Sequence, residues 1–271
     1  MKALKQYINE WKLTSDNNSS VGYRYKYCPT TLEGLRDIIS NKLVENSKAP
    51  NLLDIDTSKI TDMYKLFCYF STYKNDIEIL DLHTWNMSNV KTTVHMFSQL
   101  ENLKYVNVTG WDVSNVENMS CMFYDCSELV KVEGIETWKT KSVKDVIDMF
   151  ANCYALESLN LKNWDSSNIE RMSEMFWKCT SLKRIDNISN WTINSTSLSG
   201  LFLHCESLEV LDLSNWTFKV ELYDIGRMFM GCKNLKKIEG IHDWPVQNAL
   251  TGGIFDDCYN LSYYPRWYKQ Y

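Results

Sequence analysis

Apolar residues recur along this chain in fixed columns, not in independent amphipathic segments. Tryptophan stands at Trp85, Trp111, Trp138, Trp164, Trp191, Trp216 and Trp244, at intervals of 26, 27, 26, 27, 25 and 28 residues. Phenylalanine stands at Phe67, Phe97, Phe123, Phe150, Phe176, Phe202, Phe229 and Phe255. Three residues after Phe come Cys126, Cys153, Cys179, Cys205, Cys232 and Cys258, and three later again Leu129, Leu156, Leu182, Leu208, Leu235 and Leu261. A period held by four residue types marks a stacked repeat, in which no unit can bury its apolar face alone.

One unit divides into two patterns. Met172, Met175, Phe176 and Cys179 follow the i, i+3, i+4, i+7 spacing of a helical face, which predicts a short helix in every unit. Leu156, Leu159 and Leu161, or Leu182, Ile185 and Ile188 one unit later, predict a short strand. Stacking such units sets the strands side by side in a parallel sheet, with right-handed connections.

The segment Trp111-Asp112-Val113-Ser114-Asn115-Val116, followed by Met122-Phe123 and Cys126-Ser127-Glu128-Leu129, resembles the BspA-like leucine-rich repeat of bacterial surface proteins and mycoplasma lipoproteins. The resemblance runs from about Leu53 to Leu261. It implies an α/β repeat fold, a right-handed leucine-rich-repeat solenoid of 26–27-residue units with a short strand and a short helix each. It also implies adhesins and other binding proteins, with no catalysis and no cofactor.

A second period is superposed. Val106, Leu159 and Leu211 lie five residues before their tryptophan, whereas Val132, Ile185 and Ile238 lie six before theirs. The added residue is Gly134, Asn187 or Gly240, types that tolerate positive φ. A tight turn is expected there in every second unit, which makes a pair of units the true repeat.

The ends depart from the pattern. Residues 1–50 read as a capping segment: an amphipathic helix over Lys2–Lys12, a strand at Tyr23–Tyr27, and a helix opened by Thr30-Thr31-Leu32-Glu33 and running to about Val44. Residues 51–261 form the solenoid of about eight rungs, and the aromatic residues 262–271 cover its last rung or serve as a tail. Cys68–Asp76, longer by four residues than its counterparts, should protrude.

Charge and composition narrow the function. A net charge of -5 and the absence of a basic stripe argue against nucleic acid. No run of about 18 apolar residues exists to insert in a membrane. The start of the chain carries charge without an apolar core, so it is not a secretory signal. The residues alone favour a cytoplasmic or virion-associated protein, with the cell surface reached only if a signal has been removed. The column cysteines recur 26 or 27 residues apart, not at metal-ligand spacing, and read as buried packing residues. The methionine and tryptophan columns read the same way. His83, His95, His204 and His242 form no catalytic pattern.

Binding is the reading that remains. In a strand, neighbours of an inward residue point to solvent. After the central apolar residue come Asp81, Asn107, Glu133, Asn160, Asp186, Asp212 and Glu239; before it come Ile79, Tyr105, Lys131, Ser158, Arg184, Val210 and Lys237. These rows predict an acidic and amide stripe beside a stripe with a cation in every second unit. Candidate partner-binding residues are Asp81, Tyr105, Asn107, Lys131, Glu133, Asn160, Arg184, Asp186, Asp212, Lys237 and Glu239. The expected partner is a protein. A structural place in an assembly such as a phage particle or cell-surface layer is the second reading, and carbohydrate binding by an exposed tryptophan row is the third.

Overall fold

Residues 25–269 are described by the structure, a computed structural model. The predicted Lys2–Lys12 helix and the first residues of the Tyr23–Tyr27 strand lie outside them. Helix α1 spans Leu32–Glu45. Thr31 is its N-cap, with the hydroxyl accepting from the Gly34 amide at 3.1 Å. Glu33 sits one position too early to close a reciprocal capping box. Leu35, Ile39 and Leu43 of α1 are buried in the same cluster as Leu52, Ile55 and the first solenoid turns.

Seven short parallel strands follow: β1 (Ile79–Asp81), β2 (Tyr105–Asn107), β3 (Lys131–Glu133), β4 (Ser158–Asn160), β5 (Arg184–Asp186), β7 (Val210–Asp212) and β9 (Lys237–Glu239). The dipeptides β6 (Thr192–Ile193) and β8 (Thr217–Phe218) pair with each other on another wall. Pairing is residue for residue, Leu80 with Val106 with Val132, Leu159 with Ile185, and Leu211 with Ile238. The molecule is a β-solenoid with repeats of about 26 residues.

Gly134, Asn187 and Gly240 all have positive φ, at 94°, 67° and 82°. Each opens a one-turn 3-10 segment, Ile135–Thr137, Ile188–Asn190 and Ile241–Asp243. The expected tight turns are therefore present in every second unit from β3 onward. They also break the sheet. Val108 and Leu161 donate to the next strand at 2.8 and 3.0 Å after β2 and β4. After β3 and β5 the chain has already turned, and pairing stops.

The same two-unit period reaches the tryptophans. Indole Nε1 of Trp111, Trp164 and Trp216 donates to the carbonyls of Leu82, Ile135 and Ile188 at 2.8, 3.2 and 2.8 Å. Nε1 of Trp138, Trp191 and Trp244, which follow the longer turns, is buried with no partner. Trp216→Phe is therefore expected to cost about 1 kcal/mol more than Trp191→Phe, read from urea unfolding midpoints. Equal losses would show that the indole bond is energetically idle.

The helix predicted in every unit does not form; α1 is the one α-helix among the described residues. In its place each unit runs through tandem turns. Met96 and Leu100 donate to Thr93 and Phe97 three residues back, at 3.0 and 3.3 Å, with His95 and Gln99 in the left-handed region at φ 55° and 62°. That is type II turn geometry. Alternate amides then leave the unit altogether. Thr93, His95, Phe97 and Gln99 donate to Asn118, Ser120, Met122 and Tyr124 in the next unit at 2.7–3.2 Å. An α-helix would have kept those amides inside the unit. The tandem turns still point Met, Met, Phe and Cys inward at the spacing of a helical face, which is why the sequence pattern reads as helical.

Inside, the eight phenylalanines form one stack, with centroids 5.0–6.0 Å apart. Beside it the six column cysteines are buried, each thiol donating to the carbonyl of a phenylalanine in the preceding unit at 3.0–3.2 Å. Burial pushes their thiol pKa values up, Cys258 to about 12, which keeps them protonated as they fill the space beside the phenylalanines. Cys205 belongs to this column, and its sequence neighbour His204 lies outside the core in a left-handed turn.

Candidate binding face

The face carrying the predicted stripes is open from β3 onward and covered before it. Ile79, Asp81 and Tyr105 are buried, which corrects their expected exposure. Strand alternation decides which face a side chain takes and says nothing of what lies over that face. Tyr105 Oη donates to Glu133 of the next strand, and burial and that carboxylate hold its phenol protonated far above the usual range. His83 Nδ1 lies 2.8 Å from Asp81 Oδ1.

The remaining predicted residues separate into two sets, and the length of the turn decides which. Units without the inserted residue use the side chain after the strand centre as a turn cap. Asn107, Asn160 and Asp212 each accept through Oδ1 from the amide two residues on, Thr109, Lys162 and Ser214, at 3.1, 3.2 and 3.0 Å. Asp81 does the same for His83 at 3.3 Å. These are Asx turns, and the Ser214 hydroxyl and amide lower the Asp212 pKa. Units with Gly134, Asn187 or Gly240 turn by left-handed backbone, so the carboxylate is not needed as a cap. There Glu133, Asp186 and Glu239 pair with the cation two residues earlier, Lys131, Arg184 and Lys237, at 3.3, 3.4 and 2.7 Å.

The face thus presents an ion pair at every second strand, roughly 10 Å apart at ordinary sheet spacing. Between them lie Ser158 and the half-exposed Val210. All three cations keep about half or more of their surface in water, at 56%, 70% and 49%. Such pairs contribute little to stability, which leaves them free to exchange partners.

Elsewhere, charges are linked across successive units at the edge of the sheet. Lys48, Glu78, Lys104 and Glu128 form a chain of contacts at 2.7, 3.0 and 3.8 Å. Sequence reasoning gave no weight to the turn wall, where Asp148 sits at φ 54° beside Glu174 and Asp145. Burial first, and those two carboxylates second, raise its pKa to about 6. Among the described residues there is no cluster of histidine, cysteine and carboxylates able to hold a metal, and no helix is long and apolar enough to cross a membrane. The tryptophan column that sugar stacking would need lies inside the molecule.

Fold and face together define a leucine-rich-repeat-like solenoid with one open strand face. The chain belongs to the mycoplasma family of unknown function DUF285, a BspA-like repeat family, matched over residues 39–158 and 150–262. No curated protein matches. Among solved structures, it is similar to a T. pallidum leucine-rich-repeat protein at 16% identity and TM-score 0.32, covering 68% of this chain and 72% of that one. A TLR13–ssRNA13 complex is similar at 12% identity and TM-score 0.24, covering 86% of this chain and 40% of the other.

Proposed function

We propose that this chain is a non-catalytic repeat protein that binds another protein through the strand face between Lys131 and Glu239. The observation that carries this reading is the periodic row Lys131–Ser158–Arg184–Val210–Lys237 beside carboxylates held two residues away. A rigid, extended face with charges at fixed intervals suits multivalent recognition of a protein surface. An acidic group on the partner would take over each cation, and an apolar group would cover Val210.

The face also dictates which residues to change. Asp212 caps a turn, so altering it would disturb the backbone. Arg184 and Lys237 do not cap turns. The double variant Arg184→Glu, Lys237→Glu is expected to keep its unfolding free energy within about 0.5 kcal/mol of the parent. It should lose proteins that the parent chain retains from extracts of its source cells, and that retention should fall with salt. Unchanged retention by the folded double variant would refute the assignment of the face.

A further inference from the structure

The turn wall ends in an unpaired edge. Along the solenoid, alternate amides of each unit donate to the next. In the last such pair, Ile225, Arg227, Phe229 and Gly231 donate to Leu250, Gly252, Ile254 and Asp256 at 2.8–3.0 Å. The amides that would continue the ladder are those of Thr251, Gly253, Phe255 and Asp257, and none of them finds an acceptor among the described residues. The carbonyls of Thr251, Gly253 and Phe255 turn inward, accepting from Ile254, Asp256 and Cys258 at 3.1–3.2 Å. The edge is therefore a row of donors alone.

The opposite end is not its mirror image. There the first unit exposes carbonyls, and Arg36 of α1 binds two of them, Tyr64 O at 2.7 Å and Lys65 O at 3.3 Å. The Arg36 guanidinium also lies 4.4 Å from the ring centre of Tyr69 in the Cys68–Asp76 segment. Stacking a second copy head to tail would displace these contacts, so growth by self-association is opposed. At the C-terminal end the core itself is finished. Tyr268 packs on Phe255 at 4.9 Å, in the place of a next phenylalanine, and Trp267 Nε1 donates to Ile241 O at 2.9 Å as Trp216 does to Ile188. The outer wall is what lacks a neighbour.

We propose that this edge docks a single segment of a partner protein coiled in the same tandem turns, running parallel to residues 251–257 and offering alternate backbone carbonyls to the four amides. Such a segment would extend the ladder by one unit, as an added strand extends a sheet edge. Asp256 and Asp257 stand exposed beside the row and Leu250 is 56% exposed at its start. They select a segment with a basic side chain at one end and an apolar one at the other. This site is separate from the strand face and does not depend on that face binding anything.

The chain's own residues 170–180 supply a probe. The carbonyls of Arg171, Ser173, Met175 and Trp177 already accept such amides in place, and Lys178 falls in the column of Asp257. A synthetic peptide of this sequence is made with alanine for Phe176, whose slot Tyr268 fills. It should slow hydrogen exchange at residues 251–257 of the full chain and leave exchange elsewhere unchanged, and the scrambled peptide should slow exchange nowhere. Thr251→Pro deletes one donor and keeps its carbonyl, and Leu250 before it is already extended. It should weaken binding about tenfold without moving the unfolding midpoint. Absence of protection at saturating peptide, or equal binding by the folded Thr251→Pro chain, would overturn the proposal. Should that variant unfold early, ester bonds replacing the amides that follow Ser173 and Met175 of the peptide test the same bonds on the unaltered protein. Equal affinity of ester and amide peptides would overturn it as well.

Discussion

Phe176→Ala is expected to destabilise the protein by about 4 kcal/mol. Phe176 is fully buried and lies between Phe150 and Phe202, with ring centroids 6.0 and 5.6 Å away. Its backbone is also bonded twice to the following unit. The amide donates to Leu201 at 3.1 Å, and the carbonyl accepts the Cys205 thiol at 3.1 Å. A cavity at mid-stack cannot be filled by collapse, because those bonds fix the spacing to the following unit, and the Phe150 amide on Met175 O at 2.9 Å and the Cys179 thiol on Phe150 O at 3.1 Å fix the spacing to the preceding one. In a solenoid each unit touches only its neighbours, so the defect weakens two interfaces at once. Urea unfolding followed by tryptophan fluorescence should show a lower midpoint and a broader transition as the two halves uncouple. A loss below about 1 kcal/mol would mean that the phenylalanine stack is not what joins the units.

Gly240→Ala should cost about 3 kcal/mol or more, by a different route. At φ 82° the left-handed conformation costs an alanine roughly 1–2 kcal/mol. Its Cβ would also stand 2.3 Å from Cα of Ser214 in the preceding unit, and relieving such an overlap costs typically 1–3 kcal/mol more. The adjacent ion pair Lys237–Glu239 belongs to the same strand and turn, so the variant should lose binding along with stability. Asn187 occupies the equivalent place two units earlier at φ 67°, with Nδ2 donating to Asn160 at 2.8 Å. Asn187→Gly should therefore lose only about 1 kcal/mol. A Gly240→Ala chain as stable as the parent would contradict the close approach of the two turns.

These contrasts show what the sequence made legible. The columns, the strand register and the pairing of units were readable because a buried position in a stacked repeat must keep its residue type. The left-handed residues of every second unit were readable because Gly134, Asn187 and Gly240 are types that tolerate positive φ. The turn wall was misread as helix because its left-handed residues include Cys121, Glu174, Lys178 and Arg227, which carry no such signature. Their strain is offset by amides bonded to the next unit, a long-range term that no local pattern displays.

The binding face was half legible. Side-chain direction followed from strand alternation, and the cation in every second unit was plain. The capping role of Asn107, Asn160 and Asp212 was hidden in a row that was read only for charge, although every short unit carries an Asx residue there and two of the three long ones carry Glu133 and Glu239. The burial of Asp81 and Tyr105 could not be read from their own strands.

Cross-linking of the chain to whatever protein co-purifies with it, with an amine-reactive reagent and mass spectrometry, tests the central claim most directly. Lys131 and Lys237 lie on the strand face, while Lys91 and Lys144 lie on the turn wall. The strand-face account predicts partner cross-links at Lys131 and Lys237 that vanish with the Arg184→Glu, Lys237→Glu change at all remaining sites. Cross-links confined to Lys91 and Lys144, or persisting in that variant, would contradict it.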